Sequence, residues 1–271
     1  AEFFILQKNK KIDLANLIVK TNKPIFLGIG NPNLTISKEI NTQKLTKGID
    51  KLSKILSRGS YIRETNMIKD IYGLVEGSQE ELETIQEYLK PSKSKLLLWD
   101  DANENNIKNM NLKDFKIIHF ATHGELAGVI KGQNEPFLVL SPPDVGTNEN
   151  DGILSMSEIM NLENNAELVI LSACNTAAGN IKQSEGFSGL ARAFLFSGSK
   201  SVLVSNWYVE TYAAMELTTG MIKQIKDNPK ISGSKALTGS MKNFISNNKE
   251  KSHPFYWAPF VIVGINSKIN L

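Results

Sequence analysis

The sequence predicts an α/β protein built on a central, mostly parallel six-stranded sheet flanked by helices. Three observations carry this. Short apolar, β-prone runs alternate with stretches of helical periodicity along almost the whole chain, the pattern of βα units. Runs such as Pro24–Gly30 and Glu167–Ala173 are apolar with little alternation, as expected of parallel strands buried on both faces. With 271 residues, 41% of them hydrophobic and 22% charged, the chain can bury the core that such a sheet needs.

Pro24–Gly30 reads as the first strand, stopped by Asn31-Pro32-Asn33. The segment from Thr35 to Tyr72 is polar and Lys-rich, with no clear tie to the core. Ser78-Gln79-Glu80-Glu81 reads as a Ser-x-x-Glu capping box ahead of an amphipathic helix carrying Leu82, Ile85 and Leu89. Lys95–Trp99 is a second strand, Asn103–Met110 a short helix, and Phe115–Thr122 a third strand that stops at His123. Phe137–Leu140 is a short strand, and the Pro-, Gly-, Asn- and Asp-rich stretch 141–152 is a loop. Met156–Leu162 suggests a short helix, and Glu167–Ala173 a fourth strand that stops at Cys174. Gly186–Phe196 has helical spacing, with small residues that let it lie close on a sheet and a stop at Gly198. Lys200–Ser205 is the fifth strand, Tyr212–Lys226 and Lys235–Asn247 are helices, and Phe260–Gly264 is the last strand. The expected division is an N-terminal strand and helical elaboration over 1–72 and a core over 73–271.

Composition excludes several functions. A net charge of +3, from 31 basic and 28 acidic residues, gives no stripe for nucleic acid, and Lys8, Lys10 and Lys11 read as solvated surface. No run approaches the roughly 20 apolar residues of a membrane span. The start, Ala1-Glu2-Phe3-Phe4, lacks both Met and the basic-then-apolar order of a signal peptide, so a piece of a longer chain is expected. A single cysteine makes no intrachain disulfide and suits a reducing, cytoplasmic setting.

Chemistry concentrates on His123 and Cys174. Each stands just past a predicted buried strand, where a scaffold holds a side chain still yet open to substrate. Imidazole beside a thiol raises its thiolate fraction and makes it a nucleophile. The His precedes the Cys by about 50 residues, the order and spacing known for caspases. Gly124 and Ala173 are small, so the backbone N–H groups of Gly124 and Cys174 are the expected oxyanion donors. Ser205-Asn206-Trp207-Tyr208, past the fifth strand at the same sheet edge, reads equally as a pocket wall or a cap on the core.

Competing sites are weaker. His119 and His123 are four apart, but a zinc pair needs a helix and a Glu where Phe120 stands, so His119 reads as buried support. Gly28-x-Gly30 fails as a dinucleotide loop because Gly is missing at 33 and Pro32 interrupts the turn. No G-x-S-x-G elbow marks a serine hydrolase, and His253 has no local partner that marks it as catalytic.

Five motifs then resemble one family in order and spacing. They are His119-Phe120-Ala121-Thr122-His123-Gly124, Leu171-Ser172-Ala173-Cys174-Asn175-Thr176-Ala177, Glu185–Phe194, Ser205–Val209 and Tyr256-Trp257-Ala258-Pro259-Phe260, with Asp151-Gly152-Ile153-Leu154 also fitting. Together they resemble the CHAT domain, a group of caspase-like bacterial peptidases related to separase and often joined to TPR repeats. The resemblance spans about 73–264.

It implies a caspase-hemoglobinase three-layer sandwich, with Cys174 as nucleophile, His123 as general base and then acid, and no cofactor or metal. It further implies a protein substrate, a regulatory partner such as TPR repeats, a 141–152 loop that moves or orders on activation, and a setting in bacterial defence or cell-death signalling. Ser172, Ser205, Asn206, Trp207 and Tyr208 are the expected substrate pocket. Separase-like relatives carry an Asp directly after this Trp that helps receive a P1 arginine; here Tyr208 stands there, which leaves an apolar or polar P1 open. The acidic pair that usually follows Val is reduced to Glu210, with Thr211 after it. The alternatives are a catalytically silent interaction module and a metal-dependent hydrolase using the two histidines.

Overall fold

A computed structural model describes residues 24–34, 68–69, 72–130, 132–144, 146–147, 149–172, 184–207, 209–266, 268–269 and 271. Its centre is a six-stranded sheet made of β1 (Phe26–Pro32), β2 (Ser94–Trp99), β3 (Ile117–Ala121), β7 (Leu168–Leu171), β8 (Ser201–Ser205) and β9 (Phe260–Gly264). Their order across the sheet is β2-β1-β3-β7-β8-β9. All pairings are parallel except β8 with β9. The chain runs from β1 outward to β2, then crosses back over β1 to β3 and onward, so the connections reverse between β1 and β3. Sites in open α/β sheets form beyond the carboxyl ends of strands near such a reversal.

Alternation along the strands splits the core in two. Leu27, Ile29, Ile118, Phe120, Val169, Leu171, Val202 and Val204 face one side. There they meet α2 (Glu104–Lys108), α3 (Met156–Asn161) and α4 (Ser184–Phe196) through Ile107, Ile159, Leu190 and Phe194. Phe26, Ile117, Ala121, Ile170 and Leu203 face the other side. They meet α1 (Ser78–Leu89), α5 (Thr211–Asp227) and α6 (Gly233–Asn247). The result is the three-layer sandwich that the βα alternation predicts.

The short strand expected at 137–140 joins a separate sheet instead. β4 (Gly124–Glu125), β5 (Phe137–Val139) and β6 (Ile153–Ser155) form a three-stranded antiparallel unit. It carries its own apolar cluster of Leu34, Ile68, Tyr72, Ile130, Phe137, Val139 and Ile153. This unit anchors the chain as it leaves β3.

One local expectation fails, the capping box at Ser78, and close packing of α1 is the reason. The residue preceding α1 is Gly77 at φ 75°, and no side chain caps the helix. Glu81 has turned from the expected cap into the interior, because 81, 82, 85 and 89 share one face and that face is buried. The observed capping box is Ser155 with Glu158, at the start of α3. Gly28 and Gly30 serve this packing too. A Cβ on Gly30 would lie 2.6 Å from the Ala121 carbonyl oxygen and 2.8 Å from a Leu82 methyl. Gly30→Ala is therefore expected to cost about 1–3 kcal/mol by overpacking, read as a lower urea midpoint with an unchanged slope.

Candidate active site

β3 ends at Ala121, and the next two residues are fastened to β5. The Thr122 hydroxyl donates to the Val139 carbonyl, and the His123 carbonyl accepts from the Val139 N–H at 2.8 Å. His123 thus projects from a rigid corner, between the parallel sheet and the small antiparallel one.

Its imidazole is held from a distant part of the chain. Nε2 lies 2.8 Å from the Gly73 carbonyl oxygen, and the Tyr72 ring packs on the imidazole with centroids 5.3 Å apart. A carbonyl only accepts, so Nε2 carries the proton and Nδ1 keeps a lone pair. Burial lowers the His123 pKa below its ordinary value, and the Gly73 carbonyl only partly offsets this. The ring is therefore neutral at neutral pH, with Nδ1 as an available base.

Behind the Tyr72 ring stands Glu125, also buried. Burial pushes its carboxyl up to about 7, while the Tyr72 hydroxyl works against the shift. That hydroxyl makes no hydrogen bond of ordinary length to the described residues, and its own pKa is raised by burial and then by Glu125. Glu125 ionises near 4.5 when free and near 7 here, so its neutral form suits the folded state. Wild-type stability should fall as pH rises from 4.5 through 7, and Glu125→Gln should remove that slope. Thermal unfolding of the two proteins should coincide near pH 4 and differ by more than about 1 kcal/mol at pH 8, the variant being the more stable.

A cavity of about 240 Å³ opens beside His123. It is lined by Leu74, Val75, Glu76, Ser78, Glu81, Thr122, His123, Ser172, Val209, Thr211 and Ala214. Beneath it runs a buried polar network on the Glu81 carboxylate. Oε1 accepts from the Thr218 hydroxyl, and Oε2 from the Ser172 hydroxyl at 3.1 Å. His119 Nε2 lies 3.1 Å from Oε1, out of line for a hydrogen bond. His119 is fully buried under the site.

Of the residues expected here, His123 and Ser172 meet at this cavity. Ser172 comes just after β7, the neighbour of β3, and its N–H donates to the Phe120 carbonyl at 2.9 Å. Gly124 opens β4 opposite Leu138. Ser205 is buried at the end of β8, the Asn206 N–H is held by the Pro259 carbonyl at 3.0 Å, and Trp207 Nε1 donates to the Phe255 carbonyl at 3.1 Å. Val209 and Thr211, a few residues further on, reach the cavity. Cys174 and Tyr208 lie outside the described residues. His253 Nδ1 accepts from the Phe255 N–H and caps a short helix, α7 (Pro254–Trp257). Sequence reasoning missed Tyr72, Gly73, Glu76, Ser78 and Glu81. Only Glu81 left a signal, a carboxylate on an apolar helical stripe.

The sheet order and the two helical layers define a caspase-like α/β fold. The crystal structure of the Arg specific cysteine proteinase gingipain R has this fold, with a TM-score of 0.50 and 11% identity, covering 92% of this chain and 47% of that one. The chain belongs to the CHAT domain family, which it matches over residues 6–265, and so to a family of caspase-like peptidases. Tetratricopeptide repeat protein 28 of Mus musculus is 30% identical over 118 residues, and the Homo sapiens protein 28%. The match takes in 44% of this chain and 5% of each of those much longer relatives.

Proposed function

We propose that this protein is a cysteine endopeptidase that cuts a protein substrate through His123 and Cys174. The observation that carries the proposal is the state of His123. Its Nε2–H is tied to the Gly73 carbonyl, partial burial lowers the pKa of its ring, and Nδ1 is left as base beside a cavity of about 240 Å³. Cys174 follows Ser172 by two residues in the sequence, and Ser172 comes just after β7, the strand next to β3. Nδ1 takes the thiol proton, and the thiolate attacks the scissile carbonyl. The N–H groups of Gly124 and Cys174 hold the resulting oxyanion. His123 then protonates the leaving amine, and water, deprotonated by the same nitrogen, resolves the thioester. These steps require no cofactor.

Control by a partner is part of the proposal. The curated relatives are tetratricopeptide repeat proteins, which supports TPR repeats as the regulatory element. Among the described residues no helix is long and apolar enough to cross a membrane. A cytoplasmic role in bacterial defence or cell death is the setting we favour, on family context alone.

Iodoacetamide labelling of Cys174 across pH tests the chemistry. A reactive thiolate should label well below the ordinary thiol pKa of about 8.5, and more slowly in His123→Ala. Labelling that tracks an ordinary thiol in both proteins refutes the dyad. A proteome-wide profile of new N-termini, wild type against Cys174→Ala, then names the substrate.

A further inference from the structure

We infer that the cavity beside His123 is the P1 pocket and that it takes a basic side chain, arginine or lysine, through Glu81, Ser78 and Glu76 of the α1 segment. This rests on the peptidase reading above and names its substrate class.

The cavity opens between His123 and Ser172, and Cys174 lies two residues beyond Ser172, within a chain reach of roughly 7 Å. A peptide whose scissile carbonyl sits at Cys174 therefore directs the side chain before that bond into this space.

The lining is acidic and short of donors. Two carboxylates line the cavity and no lysine or arginine does. Glu81 is 4% exposed. Its Oε1 is engaged by Thr218 and lies beside His119, whereas Oε2 accepts only from Ser172 among the described residues, which leaves it acceptor capacity. Ser78, 2% exposed, lines the same cavity with a hydroxyl that has no partner among the described residues. An unpartnered buried hydroxyl beside a carboxylate with a spare lone pair is a site completed by a donor-rich ligand. Glu76 stands exposed at the rim, and Leu74, Val75, Val209 and Ala214 supply apolar wall for the aliphatic stem of such a side chain.

The competing occupant is an acidic P1, because α1 and α5 both begin at the cavity and helix starts favour anions. Those starts are already countered. Glu80 and Glu81 lie in the first turn of α1, and the Glu210 carboxylate caps α5 by accepting from the Ala213 N–H. The acid that Tyr208 fails to supply after the tryptophan thus comes from a different element of the fold.

The test uses peptidyl acyloxymethyl ketones that differ only at P1 (Arg, Lys, Leu or Asp), read as the rate of Cys174 alkylation. In parallel, agmatine and the neutral 3-methyl-1-butanol are added to the Cys174→Ala protein, read as a shift in Tm. The expected result is alkylation by the Arg or Lys probe at least about 100-fold faster than by Leu or Asp, since a pocket built to bond a polar group rejects what cannot fill it. The Arg and Lys probes separate the two basic residues. Agmatine should raise Tm, and 3-methyl-1-butanol should not. Glu81→Gln should abolish the basic preference. Because Glu81 also anchors Thr218, Glu76→Gln on the exposed rim is the companion variant, expected to lose several-fold for Arg and nothing for Leu. Faster alkylation by the Leu or Asp probe overturns the pocket assignment and leaves the peptidase standing. Agmatine binding without any alkylation supports the pocket and tells against the peptidase. Neither alkylation nor an agmatine shift overturns the assignment.

Discussion

Replacing His123 with alanine is expected to lower kcat/KM on a peptide substrate by about 10³-fold or more, the scale for loss of an acid–base residue that also activates the nucleophile. His123→Ala, Cys174→Ala and the double variant should then be nearly equally inactive, because the two side chains act as one unit. The fold should survive. Among the described residues the His123 side chain makes one hydrogen bond and one ring contact, so Tm should move by only a few degrees. The pH profile is the finer check. The base works when neutral, and burial lowers its pKa from 6.5, so the acid limb of kcat/KM should fall below pH 6.5 rather than at it. An acid limb above that value would mean that the buried, Gly73-tied imidazole is not the base.

Glu104→Ala should give the largest loss of stability away from the site, about 3–5 kcal/mol in urea unfolding. The Glu104 carboxylate is fully buried. One oxygen pairs with Lys108 at 2.8 Å, and the other accepts the N–H groups of both Asp151 and Gly152 at 2.7 Å. Burial raises its pKa, and Lys108 with the Gly152 N–H oppose this. Alanine orphans two backbone donors and leaves Lys108 with Glu158, at 2.7 Å, and the Glu149 carbonyl. Gly152 sits at φ 92°, and a Cβ there would meet Pro142 at 2.8 Å, so this end of the 141–152 loop has little freedom to adjust. If the loop orders on activation, the movement belongs between its anchors, Ser141 on the Ala102 carbonyl and Gly152 on Glu104.

The local signals were legible where neighbours in sequence are also neighbours in space. Apolar runs placed all six strands of the main sheet within a few residues; the four inner strands are parallel to one another and buried along their length, which requires them to be apolar throughout. The halt of two such runs at His123 and at Cys174 likewise marked the dyad candidates. Capping misled at Ser78 because the same four residues that satisfy a box also put Glu81 on the buried stripe, and burial prevailed. Gly28-x-Gly30 was legible as failing the dinucleotide fingerprint, but what its glycines do, making room for Leu82 and for the Ala121 backbone, was not.

Tertiary structure alone decided which groups surround the histidine. Gly73 reaches His123 through a backbone carbonyl, a group that every residue carries and that leaves no mark in a sequence, across a separation of 50 residues. Tyr72, Glu76, Ser78 and Glu81 arrive with it, because the segment leading into α1 passes over the ends of β3 and β7. The sequence by itself determined the class of fold and named His123 and Cys174 as the candidate pair, since each reading depends on a strand and the residue that ends it. The tautomer of the histidine and the charge of its neighbouring pocket depend on contacts between distant elements, and packing chose those.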